Sequence, residues 1–247
     1  MNILVFVSRV PDTATKIFVG VDGKNIDSKG VKYILNPYDE FALEEGLRLR
    51  EKNGGTVTAV TVGSAESSEI LRTALAMGAD NAVFIKGENL DSYQTAFNLA
   101  EYAKTVSYDI IFAGRQSVDF DSFQVPSMVA GLLDIPSISV VSKLEVIGNE
   151  VKAERDIEGG KEAVEATLPC LISCQKGLNE PRYPKLPDIM KAKKKPIDEI
   201  DAKSVESTVS VIGMELPSKQ RVGKILGDSD ADIAEIIRSL QEDAKVI

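Results

Sequence analysis

Short apolar runs alternate with amphipathic stretches over the first 135 residues of the chain. Continuous apolar runs of this length are typical of strands that are buried on both faces of a parallel sheet. The pattern predicts four such strands, at residues 3–7, 56–62, 81–85 and 109–113. It predicts a helix after each of them, at residues 38–53, 67–77, 91–105 and 122–133. Four β-α units in series indicate an α/β fold with an open, mostly parallel sheet and helices on both faces.

The pattern changes after residue 135. Three β-rich segments, 137–147, 151–157 and 163–169, are separated by the glycine turns Gly148-Asn149 and Gly159-Gly160. Such spacing favours antiparallel strands, which we expect to extend the same sheet. One more apolar strand is predicted directly afterwards, at residues 170–173.

The C-terminal part has a different organisation. Prolines and basic residues follow Leu178, and residues 196–227 show few periodic runs, which predicts an arm that leaves the globule. A helix is predicted at the end, because five apolar residues fall on one helical stripe, namely Ile233, Ile236, Ile237, Leu240 and Ala244. Ser229 is the predicted helix cap. We therefore expect an α/β domain at residues 1–195 and an arm with a helix at residues 196–247, whose stripe needs its own domain or a partner for burial.

Charge and hydropathy exclude several function classes. The 247 residues carry a formal net charge of −9, which argues against nucleic-acid binding by the whole surface. The K-A-K-K-K run at residues 191–195 is an exception, and it is typical of a solvated helix end. No apolar run approaches the roughly 18 residues that span a bilayer, and the N-terminus lacks signal-peptide features. We expect a cytoplasmic protein without direct membrane insertion.

The chain contains no histidine and two cysteines. The absence of histidine excludes Ser-His and Cys-His nucleophile pairs. Cys170 and Cys174 form a C-x-x-x-C pattern inside an apolar run, which suits neither a zinc site nor a redox pair. We expect two buried thiols, no catalytic residue and no metal site.

Candidate binding residues follow the predicted strands. In open parallel sheets, ligands bind beyond the carboxyl ends of the strands, near the point where the strand order reverses. The turn G-R-Q-S-V-D-F-D-S-F-Q-V at residues 114–125 follows one strand, and the loop N-P-Y-D at residues 36–39 precedes the first long helix. Backbone amides at the start of the helix at 122–133 can bind a phosphate. The sequence therefore favours a nucleotide-binding domain, although it contains neither a G-x-G-x-x-G motif nor a P-loop.

Two aspartates in this turn need an explanation, because anions repel a phosphate. Asp119 or Asp121 can cap free helix amides or accept a ribose hydroxyl, while the amides of Ser122 and Gln124 bind the phosphate. Arg115 can offset the negative charge. The alternative is that both aspartates are plain turn residues.

Five stretches, in order, resemble the β subunits of electron transfer flavoproteins: L-V-F-V-S-R-V-P-D, N-P-Y-D-E-F-A-L-E-E, R-T-A-L-A-M-G-A-D, G-R-Q-S-V-D-F-D and L-N-E-P-R-Y-P-K-L-P-D-I-M-K-A-K-K-K-P-I. The resemblance spans nearly the whole chain. It implies an adenine nucleotide alpha hydrolase-like fold and a heterodimer whose FAD is held mostly by the α subunit. It also implies an electron carrier rather than an enzyme, which passes electrons from flavin dehydrogenases, such as acyl-CoA dehydrogenases, to a membrane quinone oxidoreductase.

The same resemblance implies a buried AMP with a structural role. Its contacts would be Phe6, Asn36, Pro37, Tyr38, Asp39, Val62, Gly114, Arg115, Gln116, Ser117, Val118, Asp119, Phe120, Asp121, Ser122, Phe123, Gln124 and Val125. Family members often carry a small residue at the position of Phe6, where a phenyl ring either crowds the adenine or stacks on it.

The resemblance further implies a recognition loop at residues 182–191 that docks on dehydrogenases through Leu186. Its other members would be Arg182, Tyr183, Pro187, Ile189, Met190 and Lys191. Asp156 matches an acidic position that holds the FAD domain of the α subunit, although glutamate is common there. The arm and the C-terminal helix would wrap around the α subunit.

Three alternatives stay open. In a bifurcating relative, a second FAD takes the place of AMP; the bulk of Phe120 and Phe123 favours AMP. A universal-stress-like ATP-binding domain would explain the first 135 residues but not residues 178–247. A structural interaction subunit with an empty pocket is the third alternative.

Overall fold

The computed structural model describes residues 1–217 and 223–247. The strands are β1 (Asn2–Phe6), β2 (Arg9–Pro11), β3 (Tyr33–Leu35), β4 (Thr56–Gly63), β5 (Asn81–Lys86), β6 (Ile110–Gly114), β7 (Ser137–Ile147), β8 (Glu150–Ile157), β9 (Gly160–Thr167), β10 (Cys170–Cys174) and β11 (Asp198–Asp201). The helices are α1 (Pro37–Asn53), α2 (Ser68–Met77), α3 (Ser92–Ala103), α4 (Val125–Leu133), α5 (Leu186–Ala192) and α6 (Asp230–Arg238).

One nine-stranded sheet organises the molecule, in the order β11-β5-β4-β1-β6-β10-β7-β8-β9. Every neighbouring pair from β11 to β7 is parallel. The pairs β7-β8 and β8-β9 are antiparallel and continue the sheet at one end. The predicted α/β fold and its antiparallel extension are confirmed. A small antiparallel pair, β2-β3, lies outside this sheet.

Two apolar layers cover the faces of the sheet. Ile3 and Val5 of β1 pack in the layer that contains α1 and α2, whereas Leu4 and Phe6 pack in the layer that contains α4. This alternation follows from the period of two in a strand, and burial on both faces explains the continuous apolar run. Cys170 and Cys174 are buried and free, as predicted.

The prediction that residues 196–227 form an arm that leaves the globule is wrong for the start of this range. Residues Asp198–Asp201 form β11, an edge strand parallel to β5. Its sequence D-E-I-D has no apolar run, so hydrophobic periodicity could not reveal backbone pairing at an exposed edge. The chain stays attached further on, because Asp91 accepts hydrogen bonds from the amides of Thr208 and Val209. Residues 218–222 of the predicted arm lie outside the described residues.

The predicted C-terminal helix is present as α6, and the hydroxyl of Ser229 accepts a hydrogen bond from the amide of Asp232. The helix ends at Arg238, so Leu240 lies in a short π-helical turn and Ala244 beyond it. The apolar stripe is exposed along Ile233, Ile236, Ile237 and Leu240. Within residues 1–217 and 223–247, none of the helices is both long and apolar enough to cross a membrane.

Candidate functional site

The order of the strands reverses beside β1. The chain leaves β1 towards β4 and β5 on one side and then returns to β6 on the other side. The helix α1, which follows β1, packs on one face of the sheet, and α4, which follows β6, packs on the other face. The connections that follow β1 and β6 therefore lead to opposite faces of the sheet, and we call the space between them the crevice; it is the usual ligand position in an open α/β sheet.

Asp39 joins the three segments that meet at this crevice. Its Oδ2 accepts hydrogen bonds from the amide of Ser8 at 2.7 Å and from the hydroxyl of Ser8 at 2.6 Å. Its Oδ1 accepts a hydrogen bond from the amide of Gly114 at 3.0 Å. One buried carboxyl group in the first turn of α1 thus binds the segment after β1 and the end of β6. Burial raises the pKa of Asp39 to about 6, although the hydrogen bonds from Ser8 and Gly114 lower it.

Gly114 ends β6 directly against the start of α1. A Cβ atom at this position would lie 2.7 Å from the carbonyl carbon of Tyr38 and 2.8 Å from the amide nitrogen of Asp39. These distances are shorter than any ordinary carbon contact, and backbone atoms cannot rotate away. Glycine at position 114 is therefore required by the close approach of two backbones.

Asn36 is hydrogen-bonded to the start of the predicted binding turn. Its side chain is fully buried, and its Nδ2 donates a 2.8 Å hydrogen bond to the carbonyl of Gln116. Its Oδ1 accepts a 3.3 Å hydrogen bond from the amide of Val118. The loop at 36–39 and the turn at 114–125, which lie far apart in sequence, are therefore in direct contact.

The predicted capping role of the two aspartates is wrong. Helix α4 begins at Val125 rather than at residue 122, its N-cap is Gln124, and no side chain caps it. Asp119 accepts a hydrogen bond from the amide of Phe120, and Asp121 accepts one from the side chain of Gln116. Both carboxylates thus bind within the turn, and the amides at the start of α4 stay free of a side-chain cap.

The backbone of the turn is held in an unusual conformation. Asp121 has a φ of 55° and Phe123 a φ of 56°, in the left-handed region that non-glycine residues rarely adopt. Residues in such conformations cost about 1 kcal/mol or more each and persist where the surroundings enforce them, often at binding sites.

Aromatic rings flank the arginine of the turn. The guanidinium carbon of Arg115 lies 4.6 Å from the centre of the Tyr38 ring and 4.9 Å from the centre of the Phe123 ring. Its Nη2 also donates a 3.1 Å hydrogen bond to the hydroxyl of Tyr38. The positive charge is thereby fixed at the edge of the crevice, while Phe120 is largely exposed beside it.

Two polar atoms at this site are buried without a hydrogen-bond partner. They are Oε1 of Gln116 and Nε of Arg115. A buried polar group without a partner costs about 1–3 kcal/mol. One acceptor and one donor of this kind, side by side in the chain, leave hydrogen-bonding capacity in the turn that the described residues do not use.

The remaining candidates line the same edge. Phe6 is buried among apolar residues on the α4 face, with Val62 partly buried against the same cluster. The ring of Phe6 thus forms part of an apolar wall. Pro37 and Val125 begin α1 and α4, and the carbonyl of Ser117 accepts a hydrogen bond from the amide of Asp121. Ser122 is half-buried within the turn.

The predicted recognition loop is partly a helix. Residues 186–191 of the loop lie in α5, which ends at Ala192 and has Pro187 in its first turn. The lysine run at 191–195 surrounds the end of this helix, as predicted. Leu186 is 73% exposed, Ile189 36% and Met190 53%. Tyr183 and Lys191 are exposed as well. The helix therefore presents an apolar surface to solvent.

Arg182 points inward rather than to this surface. Its Nε donates to Glu44 at 2.8 Å, and its Nη1 donates to Glu51, so that two carboxylates of α1 hold one guanidinium. Burial by itself raises the pKa of Glu44, but hydrogen bonds from Arg182 and Arg48 hold it below its ordinary value. Arg182 thus anchors the segment before α5 to α1.

Asp156 lies in β8, away from both sites described above. Its Oδ1 accepts a 3.0 Å hydrogen bond from the hydroxyl of Ser142, and Lys161 lies 3.7 Å away. The carboxylate is partly exposed on the antiparallel extension.

Sequence reasoning missed Glu44 and Glu51 as parts of these sites. Ser8 directly follows an apolar strand, which is a usable signal for a residue at the carboxyl edge. Glu44 and Glu51 give no such signal, because glutamates on a long helix are ordinarily solvated. Their partner Arg182 is 131 residues beyond Glu51.

Comparison with known proteins agrees with this architecture. The family model for the electron transfer flavoprotein domain matches residues 24–205. The chain is 46% identical to the electron transfer flavoprotein subunit beta of Bacillus subtilis (strain 168), over 100% of both chains. It is 40% identical to the human protein of the same name, over 90% of this chain and 91% of the human one. Because the family model covers most of the chain and these relatives match nearly its full length, the chain belongs to the electron transfer flavoprotein family, among its β subunits.

Proposed function

We propose that the chain is the β subunit of a heterodimer that shares one FAD with its α subunit. It accepts electrons from flavin dehydrogenases, such as acyl-CoA dehydrogenases, and passes them to a membrane quinone oxidoreductase. When bound, the FAD supplies the electron chemistry. This chain contributes an AMP site and a docking surface, and it stays an electron carrier rather than an enzyme.

The crevice between β1 and β6 supports the AMP site. The observation that carries this assignment is the pair of unpartnered buried atoms, Oε1 of Gln116 and Nε of Arg115, at the switch point of the sheet. The free amides at the start of α4 suit a phosphate. Phe6 and Val62 offer an apolar wall for an adenine ring. A hydroxyl of the ribose is the proposed partner of Asp119 or Asp121.

The exposed face of α5 supports docking. Leu186, Ile189 and Met190 together expose an apolar surface on an otherwise strongly charged segment. Apolar residues on a pre-ordered helix lose little conformational entropy when they enter a pocket of a partner, which suits brief and repeated encounters. The exposed stripe of α6 would be buried in the same way by the α subunit, and Asp156 would contact the FAD domain of that subunit.

A bifurcating relative with a second FAD is the alternative ligand state. The stack of Tyr38, Arg115 and Phe123 at the edge of the crevice favours AMP, because an isoalloxazine needs a wider opening than an adenine. A universal-stress-like ATP-binding domain is disfavoured by the family match.

Nucleotide content tests the proposal. The heterodimer is purified, denatured and analysed by chromatography, and we expect one AMP for each FAD. Two FAD for each heterodimer would support the bifurcating alternative, and a single FAD without other nucleotide would contradict the AMP site.

A matched pair of variants assigns the AMP to the crevice. Asn36→Ala removes the side chain that binds Gln116 and Val118, and we expect it to lose AMP while FAD is retained. Asn149→Ala changes an exposed asparagine between β7 and β8, and we expect normal AMP content. Normal AMP content in both variants would place the ligand elsewhere.

A further inference from the structure

Helix α5 cannot hold its own position. It has seven residues, and Ala192 is its one buried side chain. Isolated helices shorter than about 12 residues are marginal in water. The direction in which Leu186, Ile189 and Met190 point must therefore be set by contacts from other elements.

A cleft lies between part of α5 and the neighbouring α2. It has a volume of about 260 Å³, and its walls include Leu75 and Met77 of α2 and Asp188 and Lys191 of α5. The two helices are therefore not closely packed along their whole length. Apolar packing at this point cannot by itself fix the orientation of α5.

Arg72 of α2 bridges the two helices at one end of α5. Its Nη1 donates a 2.8 Å hydrogen bond to the carbonyl of Ala192 and another to the carbonyl of Lys195. Lys195 in turn donates a 2.8 Å hydrogen bond from its Nζ to the carbonyl of Ala79, just after α2. The carbonyl of Ala192 ends α5, and that of Lys195 lies just beyond the helix. The C-terminal end of a helix carries partial negative charge, so a guanidinium is stabilising there.

We propose that Arg72 is a positioning residue for docking, which acts by fixing the C-terminal end of α5. Arg182 anchors the segment before α5 to α1, so the helix is held at both ends. Without Arg72 the C-terminal end of α5 keeps only the buried Ala192 and the bond from Lys195 to Ala79, so the helix can pivot about the segment that Arg182 holds. The proposal rests on the proposed docking role of α5.

Steady-state kinetics with the FAD-loaded heterodimer test this proposal. The heterodimer serves as the electron acceptor of a purified acyl-CoA dehydrogenase, and the concentration of the heterodimer is varied. Reduction of the heterodimer by dithionite is measured in parallel. We expect Arg72→Ala to raise KM by about tenfold, because two charge-assisted hydrogen bonds are lost. The kcat and the reduction by dithionite should stay unchanged, since neither the flavin nor its environment is altered.

Arg50→Ala is the matched control. Arg50 is a half-buried arginine that also donates to a backbone carbonyl, that of Gly78, but it lies on α1 and binds Asp80 rather than α5. We expect a loss of stability without a change in KM. Hydrogen exchange gives a second measurement, in which Arg72→Ala should speed the exchange of amides at 189–195 and leave the strands unchanged.

The double variant Arg72→Ala with Leu186→Ala distinguishes the positioning role of Arg72 from the docking role of Leu186. If Arg72 acts through α5, the two effects are not additive, and the double variant loses less than the sum of the two single losses. A normal KM for Arg72→Ala beside a raised KM for Leu186→Ala would overturn the positioning role and leave docking intact. A normal KM for Leu186→Ala would overturn docking itself, and the role of Arg72 with it.

Discussion

The amide of Gly114 donates its hydrogen bond to Oδ1 of Asp39 across a gap that admits no side chain. The contact draws the start of α1 onto the end of β6, and the proposed AMP crevice opens beside it. Asp39 also binds the segment after β1 through Ser8, so the site depends on one glycine and one buried carboxyl group.

Gly114→Ala tests the close approach. The added methyl group would collide with the backbone at Tyr38 and Asp39, so we expect a loss of about 1–3 kcal/mol in the free energy of unfolding together with a loss of AMP. Chemical denaturation and nucleotide analysis measure both effects. Gly131→Ala is the control, because a Cβ there meets nothing within 4 Å and alanine favours a helix such as α4. Equal stability of Gly114→Ala and wild type would contradict the steric argument.

Asp39→Asn tests the raised pKa. Burial raises the pKa of Asp39 from its ordinary value of 3.8 to about 6, so the folded state binds this proton more tightly than the unfolded state. The stabilisation that protonated Asp39 contributes is therefore complete below the pKa that this group has in the unfolded state. It is lost as the pH rises through the folded-state pKa of about 6. The stability of wild type minus that of Asp39→Asn should fall by up to about 3 kcal/mol between about pH 4 and pH 7.

Chemical denaturation across this pH range gives the difference directly. Asparagine keeps the shape of the side chain but does not titrate, and all other groups are shared by the two proteins. A difference that stays constant or grows with pH would show that Asp39 is not held in a raised-pKa environment.

Leu186→Ala tests the docking surface. The leucine is exposed in the free chain, so its removal should leave stability and FAD content unchanged. Electron transfer from a dehydrogenase should fall by about tenfold or more, since burial of a leucine side chain contributes about 1.5–3 kcal/mol. Ile147→Ala, an exposed apolar residue at the end of β7, should transfer electrons normally. Normal transfer by Leu186→Ala would remove its docking role.

Arg182→Ala tests the anchor on α1. It leaves Glu44, whose side chain is almost fully buried, with Arg48 as its remaining charged partner. We expect a loss of about 1–3 kcal/mol in the free energy of unfolding, below the value for a fully buried pair because Arg182 is partly exposed. Lys143→Ala, which breaks the exposed pair with Glu154, should have no measurable effect. Equal stability of Arg182→Ala and Lys143→Ala would contradict the anchoring role of Arg182.

Local pattern was sufficient for most of the fold. The central parallel strands β1, β4, β5, β6 and β10 and the first three long helices lie within a few residues of their predicted bounds, because burial on both faces of a sheet leaves an apolar run that is visible in sequence. The start of α4 was predicted three residues too early, since the turn before it is stabilised by its own side-chain contacts. Strand β11 was missed, because an exposed edge strand needs only backbone pairing.

The sequence by itself determined the α/β architecture, the absence of histidine chemistry and the loop and turn that meet at the crevice, because these follow from periodicity, composition and the order of strands. The tertiary structure alone decided how the site is held together. Residues distant in the chain are joined by the hydrogen bonds of Asp39, by the contacts of Arg182 with α1 and by the hydrogen bonds of Arg72 to the end of α5. Such contacts depend on how close the folded backbone brings two side chains, and no local sequence pattern encodes the distance between them.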